Sequence, residues 1–146
     1  MYLRLCLECG RVGCCALLTR SSLPNLFSLC GKALQIDANL GAASSIAEML
    51  VQSHQEAMHL LPALPAEWSS GSVHGLRARG GYVVDLDWSG GALSRAVIHA
   101  SRATRCVIRA RGLSTVTLDG RAVKLERRTP GTVAFDVAAG GVYELR

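Results

Sequence analysis

Tyr82-Val83-Val84-Asp85-Leu86-Asp87-Trp88 is the stretch whose reading decides the fold. Large apolar residues at 82, 84, 86 and 88 alternate with Val83, Asp85 and Asp87. This is the period of a strand with one face on a core and the other in water. Both acids are therefore expected on the wet face. Ser89-Gly90-Gly91 then turns the chain. Beyond it Ala96, Ile98 and Ala100 share one face of a second strand. On a third, Cys106, Ile108 and Ala110 oppose Arg105, Arg109 and Arg111. Asp119-Gly120 is a hairpin turn between Val116–Leu118 and Val123–Leu125. Val133, Phe135 and Val137 mark another strand, and Gly140-Gly141 leads into a last one ending near Leu145. Eleven of the fifteen glycines lie from Gly71 onward, which suits short strands with tight turns. About seven antiparallel strands are enough for a sandwich. The predicted class is α+β and mainly β, with an antiparallel β-sandwich over residues 69–146.

Towards the N-terminus the pattern changes. Met58 to Leu64 is a short apolar run cut by Pro62 and Pro65, which predicts an extended linker or edge strand. Ala42 to His54 reads as an amphipathic helix, with Ile46, Met49, Leu50 and Ser53 on one face and Asn39 as its cap. Just before it, Leu34-Gln35-Ile36-Asp37-Ala38-Asn39-Leu40-Gly41 sets a carboxylate and a carboxamide two residues apart in an apolar run. A buried unpaired carboxylate costs several kcal/mol, so Asp37 needs a partner or a polar cavity. Capping the helix and presenting Asp37 to a ligand are both consistent with that need. Ser21 to Gly31 reads as loop.

Residues 1–20 hold Cys6, Cys9, Cys14 and Cys15. Cys6 and Cys9 have the spacing of a zinc half-site, but Cys14 and Cys15 are adjacent and no His lies nearby, so no metal site is assigned. Glu8 and Arg11 interrupt the apolar core that a secretion signal requires. This segment stays an unassigned leader. Cys30 and Cys106 stand alone in apolar surroundings and read as small core residues.

A length of 146 residues suggests one domain, or one small domain with an appendage. A hydrophobic fraction of 49% excludes general disorder. No apolar run approaches the ~20 residues of a membrane span, so no membrane is expected. Residues 69–146 hold 12 Lys/Arg and 6 Asp/Glu, whereas residues 1–68 hold 4 and 5. That basic half is not expected to bind nucleic acid. Aromatics are only 5%, no nucleic-acid signature is present, and the arginine row is the wet face of a strand. His54 and His59 are five apart and make no same-face helical pair. His74 and His99 fall in strands with no carboxylate close in sequence. All four read as surface or hydrogen-bonded histidines.

The longer motifs resemble the end of the catalytic region of glycoside hydrolase family 95, the inverting α-L-fucosidases and some related α-L-galactosidases. The resemblance runs over Asn25-Leu26-Phe27, Leu34 to Gly41, Ile46 to His54, His59 to Pro65 and Gly71 to Gly80. The order and spacing of the family's motifs hold throughout. The chain differs from the usual family pattern at Lys32-Ala33-Leu34, where Pro-Pro-Phe is common, and at Leu40, where Phe is common.

The resemblance implies a division into the leader 1–20, the end of a helical (α/α)6 catalytic barrel over 21–68, and a C-terminal β-sandwich over 69–146. It implies hydrolysis of terminal α-L-fucosyl residues of glycans. The partners it implies are a fucosylated oligosaccharide and the family's N-terminal β-domain and remaining barrel. It implies no cofactor and no metal, and a parent often secreted or associated with the cell wall. In such enzymes an asparagine activates the water, an aspartate orients it and a glutamate is the acid, on either side of a gap that admits the water. Asp37 matches the supporting aspartate, and Gln35 and Asn39 are candidate substrate contacts. The acid and the water-activating asparagines have no counterpart in these residues, so the chain alone is expected to be inactive. A non-catalytic structural or carbohydrate-contacting β-domain is the alternative reading.

Overall fold

The computed structural model describes residues 22–25, 27–30, 33, 34 and 36–146. The leader with Cys6, Cys9, Cys14 and Cys15, the Cys30 side chain, and Gln35 lie outside the described residues. The chain divides into two compact units, 1–50 and 51–146.

In the first unit, Leu29–Cys30 (β1) and Ala33–Leu34 (β2) form a small antiparallel hairpin, with Leu29 opposite Leu34. A bridge between Ser22 and Ser28 precedes it. The Ser22–Ser28 bridge and β1 fall within Ser21 to Gly31, which the sequence reads as loop. Helix α1 then spans Ile36–Leu50. It begins six residues earlier than its apolar stripe predicts and ends four residues sooner. The early start puts Asp37 in the first turn, where a carboxylate complements the helix dipole. It also places Asn39 inside the helix, so Asn39 is not the cap. The early stop has a tertiary cause: Val51–Gln52 (β3) leaves the helical path to pair with Met58–Leu60 (β4). Met49 and Leu50 are buried, as the stripe predicts.

The second unit holds two sheets. One contains Ser70–Ala78 (β5), Tyr82–Ser89 (β6), Ala92–Ala100 (β7), Val116–Leu118 (β9), Arg121–Ala122 (β10) and Val142–Leu145 (β13), in the order β10-β9-β13-β7-β6-β5. All its pairs are antiparallel. The other contains β3, β4, Thr104–Arg109 (β8), Glu126–Thr129 (β11) and Thr132–Val137 (β12), in the order β11-β12-β8-β4-β3. Here β4 runs parallel to β8, with His59 beside Arg109. Met58 to Leu60 is thus an interior strand rather than an edge, because β3 caps it on the other side.

The predicted alternation in β6 is realised residue by residue: Tyr82, Val84, Leu86 and Trp88 are buried, and the residues between them are not. Ala96 and Ile98 on β7 and Tyr143 and Leu145 on β13 extend that face. Cys106, Ile108, Val133 and Phe135 form the opposing one. The faces meet where the Phe135 and Tyr143 rings lie 5.6 Å apart, tilted by 48°, a separation typical of favourable aromatic pairs. Asp119-Gly120 does turn a hairpin, with φ of 51° and 77° as such a two-residue turn requires. Its second arm is Arg121–Ala122 rather than 123–125.

Candidate functional site

Asp37 sits in the first turn of α1 with its side chain exposed. It is therefore not the buried carboxylate that the apolar run suggests. Two residues on, the Asn39 Oδ1 accepts a hydrogen bond from the Ser28 N–H at 2.9 Å. That bond ties the helix to the start of β1. Its carboxamide oxygen is committed to local structure, which constrains how Asn39 could meet a sugar. Gln35, the third candidate, lies outside the described residues. The apolar neighbours Leu34, Ile36 and Leu40 are all more than half exposed, at 58%, 56% and 64%. Asp37 thus stands on a surface that is apolar on either side of it.

A second constellation lies on the outer face of the six-stranded sheet. Asp85 was expected to be simply solvated. Instead its Oδ1 accepts a hydrogen bond from the Gly75 N–H at 2.8 Å, and its Oδ2 lies 3.2 Å from His99 Nε2. His74 Nδ1 is 3.9 Å from the same carboxylate. The Gly75 N–H and then His99 hold the Asp85 carboxyl below the usual carboxylate range. The cause is a β-bulge in β5 between Val73 and Leu76. Gly75 occupies it at a φ of 77°, a backbone state that glycine adopts without steric cost. The bulge turns the Gly75 N–H out of the ladder and onto Asp85.

Four arginines of this unit, Arg95, Arg105, Arg128 and Arg146, are paired with carboxylates. Arg95 pairs with Glu144 at 3.2 Å and with Asp87 at 3.7 Å. Arg105 bonds to Asp136, its cross-strand neighbour, at 3.0 Å and also to Glu126. Arg105 and Arg109 are both exposed on β8, as the alternation predicts, and Arg111 lies just past the strand's end, but of the three only Arg105 is paired with a carboxylate. Arg109 and Arg111 flank His59. Burial, and then the charges of Arg109 and Arg111, lower the pKa of His59 and favour its neutral form. Within the sandwich, the buried Tyr82 hydroxyl faces the Cys106 thiol and makes no hydrogen bond of ordinary geometry. Burial pushes that thiol up to about 11, so Cys106 behaves as a core residue. Among the described residues no group of three His, Cys, Asp or Glu side chains could hold a metal ion, and no helix is long and apolar enough to cross a membrane.

Residues 52–145 match the C-terminal domain of glycoside hydrolase family 95. Over 96 residues the chain is 43% identical to "Alpha-L-fucosidase 2" of Arabidopsis thaliana, covering 64% of this chain and 11% of that protein. Over 66 residues it is 46% identical to "Probable alpha-fucosidase A" of Aspergillus oryzae, covering 38% of this chain and 9% of that protein. A protein of the same name from Aspergillus niger is 39% identical over 66 residues, 8% of its length. The chain thus spans about a tenth of the length of these curated relatives.

Proposed function

We propose that this chain, which belongs to glycoside hydrolase family 95 by its residues 52–145, is the closing portion of an inverting α-L-fucosidase that removes terminal α-L-fucosyl residues from glycans. The observation that carries this reading is the match of the β-unit to the family's C-terminal domain, joined to similarity with proteins named as α-fucosidases. Residues 21–68, which include α1, are then the end of the helical catalytic barrel. The exposed Ile36 and Leu40 of α1 support this, because a helix packed in a ring of helices buries such residues on its neighbours. Asp37 is the supporting carboxylate. An ionised Asp37 would hold a neighbouring amide in the tautomer that takes a proton from the attacking water.

On this reading the 146 residues alone do not turn over substrate. General acid–base groups contribute about 10²–10⁴-fold, and nothing here aligns with the family's acid or its asparagines. The test is a hybrid in which residues 22–146 replace the final region of the Arabidopsis relative. The hybrid should release p-nitrophenol from p-nitrophenyl α-L-fucoside, while the isolated chain should not. Asp37→Ala in the hybrid should lower kcat by about 10²-fold or more. A folded hybrid whose turnover is unchanged by that substitution removes Asp37 from the mechanism. Turnover by the isolated chain that follows the protein through chromatography would overturn the division of labour.

A further inference from the structure

The second unit carries a cleft of about 730 Å³ that the proposed hydrolysis does not use. Four segments wall it: the start of the β4–β5 connection, the β6–β7 turn, the end of β8, and the β11–β12 turn at Pro130-Gly131. His59, Arg109 and Arg111 all line it, and no Asp or Glu does. Elsewhere in this unit Arg95, Arg105, Arg128 and Arg146 are each paired with a carboxylate. Arg109 and Arg111 have no such pairing among the described residues, as is also true of Arg77, Arg79, Arg102, Arg121 and Arg127; what sets these two apart is that they line one cavity together. Two guanidinium groups have thus been gathered around one cavity without their counter-charge.

The wall beside them is strained. Leu61 has a φ of 49°, a left-handed value rare for a branched residue, and it immediately precedes Pro62. Proline disfavours compact conformations in the residue before it. Strain of this kind persists where the surroundings fix it, and it clusters at ligand sites. The fixing comes from β4, whose Leu60 is fully buried just before the kink. Leu61 to Leu64 are then held against the cleft. His59 is kept neutral here, able to donate from one ring nitrogen and accept at the other, as hydroxyl recognition needs.

We propose that this cleft binds the carboxylate of an acidic sugar residue, with Arg109 and Arg111 on the anion and His59 on an adjacent hydroxyl. A guanidinium presents a planar fork that matches a carboxylate's two oxygens. The mixed lining, with Leu61, Pro62 and Leu64 beside the charged groups, suits a sugar ring with an apolar face. The choice of a sugar acid over a bare anion rests on the glycan-processing reading above. The anion preference rests on the cleft alone.

The test is a titration of the ¹⁵N-labelled 146-residue chain with trigalacturonate, followed by amide shifts. Shifts are expected at residues 59–61, 109–112 and 131. Arg109→Gln should weaken binding about tenfold, the loss expected for one charge-assisted contact. Ala92→Glu sets a carboxylate into the same cleft at an exposed position while leaving both arginines intact, and it should abolish the shifts. Arg121→Gln, an exposed arginine outside the cleft, should change nothing. Equal binding of methyl-esterified trigalacturonate overturns the proposal. So does equal loss in Arg121→Gln, and so does displacement by sodium sulfate at the same concentration, which would show an anion site blind to sugar. The hybrid's fucosidase activity is independent of each of these outcomes, so failure here and failure of the hydrolase reading are separable.

Discussion

Removing the Asp85 carboxylate should destabilise the β-unit although the residue lies on its wet face. Asp85→Ala deletes the acceptor of the Gly75 N–H at 2.8 Å and the partner of His99 at 3.2 Å. A hydrogen bond to a charged group is worth about 1.5–3 kcal/mol. A quarter of the Asp85 side chain reaches water, at 24% exposure, so solvent can partly replace what is lost and the lower end applies. The expected cost is about 1.5 kcal/mol, or a fall in Tm of about 6–12 °C for a unit this small. Asp85→Asn keeps an oxygen for Gly75 but no charge, so its cost should be about half as large. The sign of the pH dependence follows from the direction of the shift. The folded carboxyl titrates below its unfolded value of about 3.9. Its stabilisation is therefore complete above that value and is lost as pH falls through the folded pKa. Thermal melts by circular dichroism at pH 6 and pH 3 should show the gap between parent and Asp85→Ala narrowing on acidification. A variant within about 2 °C of the parent at pH 6, or a gap that widens at pH 3, refutes the reasoning.

Two further substitutions probe the sandwich itself. Tyr143→Phe keeps the ring contact with Phe135 but leaves the Ala138 N–H, 2.8 Å from the Tyr143 hydroxyl, without its acceptor. Urea unfolding should show a loss of about 1–2 kcal/mol, against about 3–5 kcal/mol for Tyr143→Ala, which also empties the core. Similar losses in the two would mean the ring's packing contributes little. Gly71→Ala would set a Cβ 2.5 Å from the Trp88 ring, which is buried and anchored by its Nε1–H to the Trp68 carbonyl at 2.9 Å. The ring must tilt outward, so a red-shifted tryptophan emission and a loss of about 1–3 kcal/mol are expected. An unshifted spectrum would place the ring elsewhere.

The legible part of this chain is the part written in a period of two. Residues 82–88 could be placed face by face because the alternation that decides which side chains face the core is written in consecutive residues, and Asp119-Gly120 could be placed because its backbone state is chosen locally. The errors share the opposite property. Val51 and Gln52 continue the helical stripe in sequence, yet they pair with His59 and Leu60, and that pairing ends α1. Met58 to Leu60 looked like an edge because its partner β8 is far along the chain and parallel to it. Glu126–Thr129 has no buried residue at all and carries no alternation to read.

The same distinction governs the candidate sites. Asp37 could be singled out from sequence because a helix start and a family motif are both local features. The partners of Asp85 could not. His99 comes within 3.2 Å only because β6 and β7 pair with Val83 opposite His99, and Gly75 reaches the same carboxylate only because β5 bulges between Val73 and Leu76. A shift of one residue in either register would turn those side chains to opposite faces. The cleft is a stronger case still, since Arg109, Arg111 and His59 reach one cavity through a parallel pairing that no spacing announces. Read along the chain, Arg105, Arg109 and Arg111 are equivalent members of a wet face. Once β12 and β11 place Asp136 and Glu126 beside Arg105, that arginine is neutralised, and the two left around His59 are set apart from it by chemistry as well as by position.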